Sequence, residues 1–213
     1  AADAIFDIVS LGRGGEITLS FDSPITNGTG FDFAVFENSF SDTFLELAYV
    51  SVSSTGESGT FIPFKSISDV PDFVPGFGSV DPTDIDGLAG KYRGGFGTPF
   101  DLNEFVPLLD QLREFVPSFD PNHITHVKIT DVVGDGSNND TDNPSPIYDP
   151  YPTFQSVGFD LEAIGVINQL DEPPIEDPAI VQQVPIPAIP LVIQAMMLIL
   201  ITAIKTRSRE IKQ

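Results

Sequence analysis

Oxygen-bearing side chains crowd one stretch of this chain. Asp135-Gly136-Ser137-Asn138-Asn139-Asp140, followed by Asp142, sets oxygens at alternate positions of a loop. Calcium, a hard cation that takes 6–8 oxygen ligands, suits such a loop. The stretch is not an EF-hand: counted from Asp135, its sixth position is Asp140 rather than Gly and its twelfth is Pro146 rather than Glu. Asp84-Ile85-Asp86-Gly87 fits the middle of that motif, but Pro82 and Arg93 occupy its first and twelfth positions. Two further acids have inward parity. Asp131 shares a strand face with Val127 and Ile129, and Glu37 shares one with Phe33 and Val35. An inward carboxylate needs a partner, and residues 1–183 offer six basic side chains for thirty acids. The candidate calcium ligands are therefore Glu37, Asp131, Asp135, Asn139, Asp140 and Asp142. The alternative is that these acids are solvated or accept from loop amides.

A second candidate site is aromatic. Tyr92, Phe96, Tyr148 and Tyr151 lie in loops and could stack against sugar rings, although the chain has no Trp. Catalytic signatures are absent: there is no H-E-x-x-H, G-x-S-x-G or G-x-x-x-x-G-K-[ST]. His123 and His126, three apart on a strand, face opposite ways and should not share a metal. Gly12-Arg13-Gly14-Gly15 precedes a strand, so it is a turn and not a phosphate cradle. The expectation is a protein that is not an enzyme. A carboxylate pair acting in glycoside hydrolysis is the less favoured alternative.

These residues need a scaffold, and period two supplies it. Ile17, Leu19 and Phe21 alternate with Glu16, Thr18 and Ser20, which predicts a half-buried strand. Residues 32–36 are apolar on both faces apart from Asp32 and read as a central strand. Alternation over 46–52 predicts another, with Ala48, Val50 and Val52 on one face; 60–65 and 124–132 are two more. In 158–167 the inward parity changes between Leu161 and Ile164, which predicts a bulge near Glu162. Asp101-Leu102-Asn103-Glu104 resembles a capping box and opens a short helix through about Arg113. Residues 66–100 and 134–151 read as long loops. The expected fold is all-β: an antiparallel, jelly-roll-like β-sandwich with one short helix.

Charge divides the chain. The net charge is −21 and argues against nucleic-acid binding. The absence of Cys excludes disulfides, thiol catalysis and thiolate metal sites. Residues 1–204 carry −24, whereas 205–213 hold Lys205, Arg207, Arg209 and Lys212. Residues 188–204 are uncharged; as a helix, 184–204 would rise roughly 31 Å, and the hydrocarbon core is about 30 Å thick. The expected organisation is an extracytoplasmic sandwich over 1–168, an acidic Pro-containing stalk over 169–183, a transmembrane or sorting helix over 184–204 and a basic cytoplasmic tail over 205–213. Such an anchor requires an export signal, and Ala1-Ala2-Asp3-Ala4 shows none. The signal is expected to have been removed or to precede this stretch.

Val184-Pro185-Ile186-Pro187-Ala188, the apolar run and the basic tail resemble C-terminal sorting signals of the PEP-CTERM type. That resemblance implies recognition at Val184, Pro185, Pro187 and Ala188 by an exosortase-type membrane protease. The chain lacks the Glu of the commoner Pro-Glu-Pro form. Several ordered blocks, including Gly14-Gly15-Glu16-Ile17-Thr18-Leu19, Asp32-Phe33-Ala34-Val35-Phe36-Glu37-Asn38, Gly97-Thr98-Pro99-Phe100-Asp101-Leu102 and Gly158-Phe159-Asp160-Leu161, resemble uncharacterised exported bacterial cell-surface proteins. This resemblance implies an envelope β-sandwich and carries no established activity. The functional expectation is a cell-surface protein, membrane-anchored or sorted, with a structural, adhesive or matrix role. Calcium is its candidate cofactor and extracellular polysaccharide a candidate partner. A carbohydrate-binding module is the alternative.

Overall fold

Alternation of apolar and polar side chains builds two antiparallel sheets, seen in a computed structural model that describes residues 8–142, 144–153 and 158–170. The strands are, in chain order, β1 (Val9–Ser10), β2 (Glu16–Ile25), β3 (Phe33–Glu37), β4 (Ala48–Ser53), β5 (Ile62–Pro63), β6 (Ile67–Ser68), β7 (Ile85–Asp86), β8 (Thr98–Phe100), β9 (Ile124–Asp131), β10 (Asp135–Asn139), β11 (Pro146–Tyr148) and β12 (Asp160–Val166). One sheet has the order β1-β12-β3-β8 and the other β2-β9-β4-β5; β6-β7 and β10-β11 are small two-stranded additions. The architecture is sandwich-like and mostly β, as expected.

The inward faces are those the alternation marks. Phe33 and Val35 of β3, Ala48, Val50 and Val52 of β4, and Ile124, Val127 and Ile129 of β9 are buried in one core. Aromatic rings fill its middle. Phe33 stacks on Phe100 at 5.4 Å between centroids, Phe64 lies 4.7 Å from Phe105, and Phe105 meets Phe119 edge-on at 5.3 Å. The β3–β12 register shifts between Leu161 and Ala163, so the bulge at Glu162 is present.

Three expectations need correction. Residues 66–100 are not a long open loop: β6, a 3-10 turn at Pro82–Asp84, β7 and β8 punctuate them. Val70, Val74, Val80, Ile85 and Leu88 enter a second core with Leu45, Leu47, Val132 and Ile147, so apolar burial without a period holds this stretch. Residues 134–151 contain β10, whose Asn- and Asp-rich composition has low strand propensity, and β11; the two pair only with each other. The helix opens as a 3-10 segment, Leu102–Leu108, before α1 (Leu109–Phe115). Asp101 caps it, its side chain accepting from the Asn103 amide at 2.8 Å. Pro107 lacks an N–H, which disfavours a regular α-helix at that point.

One buried residue joins several of these parts. Asp32, fully buried, accepts from the amides of Gly28 and Leu102, both at 2.7 Å, and from Asn168 Nδ2 at 2.9 Å. Its carboxylate therefore ties the turn after β2, the start of the 3-10 helix and the chain beyond β12. That chain crosses to the other sheet, where Leu170 donates its amide to the Pro24 carbonyl at 2.9 Å.

The contacts divide the chain into two units, Ala1–Glu172 and Pro173–Gln213, and every described residue belongs to the first. No helix among the described residues is long and apolar enough to cross a membrane. The expected span 184–204, its tail and the sorting motif at Val184, Pro185, Pro187 and Ala188 lie outside the described residues, as does the stalk beyond Leu170.

Candidate functional site

Five acids meet where the sheets end. Antiparallel pairing brings the C-terminus of β3 beside the N-terminus of β12, and the C-terminus of β9 beside the N-terminus of β4. Glu37 closes β3, Asp160 opens β12, Asp131 closes β9, and Glu46 lies two residues before β4. Asp149 follows β11 and accepts from the Leu47 amide at 2.9 Å. Each of the five is buried, from 2 % exposed for Glu37 and Asp131 to 6 % for Glu46. One end of the sandwich is thus lined with carboxylates from both sheets.

Glycines allow the chain to close around them. Gly90 approaches so near the Glu46 carbonyl that a Cβ would collide with it at 2.0 Å. Gly158, at φ +73°, leaves room for Asp131 Oδ1, which a Cβ would meet at 2.3 Å.

The electrostatics are unfavourable for so many negative groups. Burial pushes Glu37 up to about 9, and the charges of Glu46 and Asp160 add to the effect. Burial raises Glu46 to about 7, although bonds from the Thr153 side chain and the Gly158 backbone pull it back. Burial also raises Asp131 to about 6, against the amides of Gly14 and Phe159, each donating at 2.7 Å. Asp149 is held well above the ordinary carboxylate range by burial, with the Leu47 amide opposing. Glu37 Oε2, Glu46 Oε1 and Asp160 Oδ1 have no hydrogen-bond partner among the described residues. The nearby cation is Arg13. It borders the same small cavity as Glu46, Asp131 and Asp149 but lies over the Tyr151 ring, 5.1 Å from its centroid.

The expected ligand set divides. Glu37 and Asp131 join this cluster. Asp135 is exposed and its Oδ1 accepts from the Ser137 amide at 2.9 Å. The Asn139 carbonyl accepts from the Tyr49 hydroxyl at 2.6 Å, Asp140 is buried just past β10 with its amide donating to the Ser145 carbonyl at 3.0 Å, and Asp142 pairs with Lys65 at 3.0 Å. No group of three or more His or acidic side chains is poised to hold a metal ion as placed among the described residues. Sequence reasoning missed Glu46, Asp149 and Asp160. Glu46 could have been found, since it shares parity with Ala48, Val50 and Val52; Asp149 and Asp160 are buried by loop packing that no period reveals.

The aromatic candidates also separate. Tyr92 borders a groove of about 750 Å³ whose walls include Phe31, Pro99, Phe100, Glu104 and Leu108. A smaller hollow of about 260 Å³ shares Lys91 and Tyr92 with it and adds Phe96 and Arg93. Phe31, Tyr92 and Phe96 are 53 %, 40 % and 59 % exposed. The rim charges are mixed: Lys65 is paired with Asp142, and Lys91 lies 3.9 Å from Asp86. Burial raises Glu104, as do the charges of Asp86 and Asp101. Tyr148 packs against the second core and Tyr151 lies under Arg13, so neither belongs to this groove. No protein-family model, curated protein or solved structure matches the chain.

Proposed function

We propose that the chain is a non-catalytic cell-surface protein, a jelly-roll-like sandwich with an adhesive role in an extracellular matrix, which holds polysaccharide in the groove beside Tyr92. The groove carries this reading. Phe33, Phe64, Phe100, Phe105 and Phe119 are buried, yet Phe31 and Tyr92 remain open around the groove and Phe96 around the smaller hollow that shares Tyr92 with it. Exposed aromatic rings around a hollow mark a contact surface. Sugar rings present apolar faces to such side chains and hydroxyls to a mixed rim such as Lys65, Lys91, Asp86 and Glu104. Neutral polysaccharide is the matching class, because most of these rim charges are already paired.

Gel retardation against a panel of neutral polysaccharides tests the groove. Tyr92→Ala is expected to weaken the retarding interaction about tenfold, as loss of one stacked ring does. Equal retardation of both proteins would remove the groove from the proposal.

The apolar run 184–204 and the basic tail support anchoring with the C-terminus inside, and the Val184–Ala188 string supports handling by an exosortase-type protease. Protease added to intact spheroplasts is expected to digest residues 1–183 and spare the tail. Recovery of the uncleaved full-length chain wholly in the soluble fraction would overturn the anchor.

A further inference from the structure

We propose that Glu37, Glu46 and Asp160 together bind one calcium ion at the carboxylate-lined end of the sandwich. The site is independent of the polysaccharide groove and differs from the 135–142 loop that the sequence suggests.

Unused oxygens are the first reason. Glu37 Oε2, Glu46 Oε1 and Asp160 Oδ1 are buried without a hydrogen-bond partner among the described residues, and their residues are 2 %, 6 % and 3 % exposed. Buried polar atoms are almost always satisfied, so three orphans in one neighbourhood call for a missing partner. All three are acceptors when ionised, which makes that partner a cation or a donor. The three groups lie close enough for Asp160 and Glu46 to act on Glu37, and for Asp160 to act on Glu46. Burying such a set without a counter-charge is costly.

The surroundings narrow the choice. Asp131 has its oxygens on the amides of Gly14 and Phe159, and Asp149 accepts from Leu47. These two acids are fixed by backbone, and they frame the site without filling it. A cavity of about 10 Å³ borders Glu46 together with Arg13, Asp131, Asp149 and Thr153, on the side of Glu46 away from Glu37 and Asp160, which do not line it. That is room for about one water. Three carboxylates, each able to bind through one or both oxygens, together with a water, reach the 6–8 oxygens of calcium. Magnesium demands near-ideal octahedral geometry and keeps its waters, which a closed, carboxylate-rich end accommodates poorly. As placed, the three side chains do not yet converge. Binding draws them together, and because Glu37 and Asp160 belong to one sheet while Glu46 lies in the segment that leads into β4 of the other, the ion fastens the two sheets.

The test is thermal unfolding of the purified full chain, first in chelator and then in millimolar calcium or magnesium at constant ionic strength. Calcium is expected to raise the melting temperature by several degrees, with a Kd of roughly 10⁻⁴ to 10⁻³ M, and magnesium by much less. Glu37→Gln and Glu46→Gln should lose the calcium increment while melting higher than the parent in chelator, because each replaces a carboxyl group that burial disfavours in its ionised form by a neutral group of similar shape. Asp160→Asn serves as a third variant should either fail to fold. Asp135→Asn and Asp142→Asn should keep the full increment. Equal responses to both ions would reduce the effect to screening and overturn the site. A calcium increment lost in Asp135→Asn but kept in Glu37→Gln would overturn it in favour of the loop.

Discussion

Replacing Asp32 with alanine is expected to destabilise the protein by about 2–4 kcal/mol, since a buried donor left without an acceptor costs about 1–3 kcal/mol and a part-buried one less. The amides of Gly28 and Leu102 lose their acceptor, and the Asn168 side chain keeps only the Phe31 carbonyl, at 3.2 Å. Leu102 is fully buried, so water cannot reach its amide without opening the structure, whereas the exposed Gly28 amide can be hydrated. Asp32→Asn keeps one carbonyl oxygen and should lose roughly half as much. Urea denaturation of the three proteins measures the difference at constant slope. A loss below about 1 kcal/mol for the alanine variant would show that the turn, the helix start and the crossing segment hold together without this carboxylate.

Stability of the calcium-free protein is expected to fall as pH rises from about 4.5 to about 9. Glu37 drives the change. Its ordinary value is 4.5 and its folded value about 9. Below about pH 4.5 both folded and unfolded chains hold the proton, and the stabilisation is fully present. Above that, the unfolded chain releases the proton while the folded one retains it, so stability is lost until the folded value is passed. Glu46, at about 7, and Asp131, at about 6, act in the same direction over narrower windows. The charges that face Glu37 are Glu46, Asp160 and Glu162, and those around Asp149 are Asp131, Glu46 and Asp135; Arg13 is the cation that borders the cavity. The loss amounts to several kcal/mol in order of magnitude, and urea midpoints at pH 5 and pH 8 in chelator would measure it. General repulsion in a chain of charge −21 gives the same sign. Glu37→Gln separates the two causes, because it should flatten the profile selectively. A parent profile that is flat or rising would contradict the buried-acid origin.

The parts of the fold that were legible are those in which one sheet face is buried and the other is not. In β2, β4 and β9 the alternation names the inward residues, and the parity change between Leu161 and Ile164 names the bulge. The same rule points Glu37 and Asp131 inward, and both are 2 % exposed. It fails where burial comes from both sides. Phe159, Asp160 and Leu161 are consecutive and all buried, so no alternation separates the acid from its neighbours. It fails again at β10, where Asp, Gly, Ser and Asn form a strand only because Pro146–Tyr148 lies alongside. Composition suggested that the acid-rich loop would gather oxygens. In the fold its members bind Ser137, Tyr49 and Lys65 separately, and distances between strands, which a sequence does not carry, assemble the cluster elsewhere.

The sheet orders place β8 and β5 at one pair of edges and β1 and β2 at the other. Pro99 sits in β8, Pro63 in β5 and Pro24 in β2, whereas β1 spans two residues. A proline cannot donate to an incoming strand, and a two-residue strand offers little to pair with. The last residues of β2 are also covered by the chain around Asn168 to Leu170. Strand addition is therefore resisted at β8, β5 and β1 and at the end of β2 around Pro24. At those edges fibril growth by backbone pairing has little to build on, and the apolar surface that the domain leaves open lies instead on single side chains such as Phe40 and Phe115, 79 % and 83 % exposed.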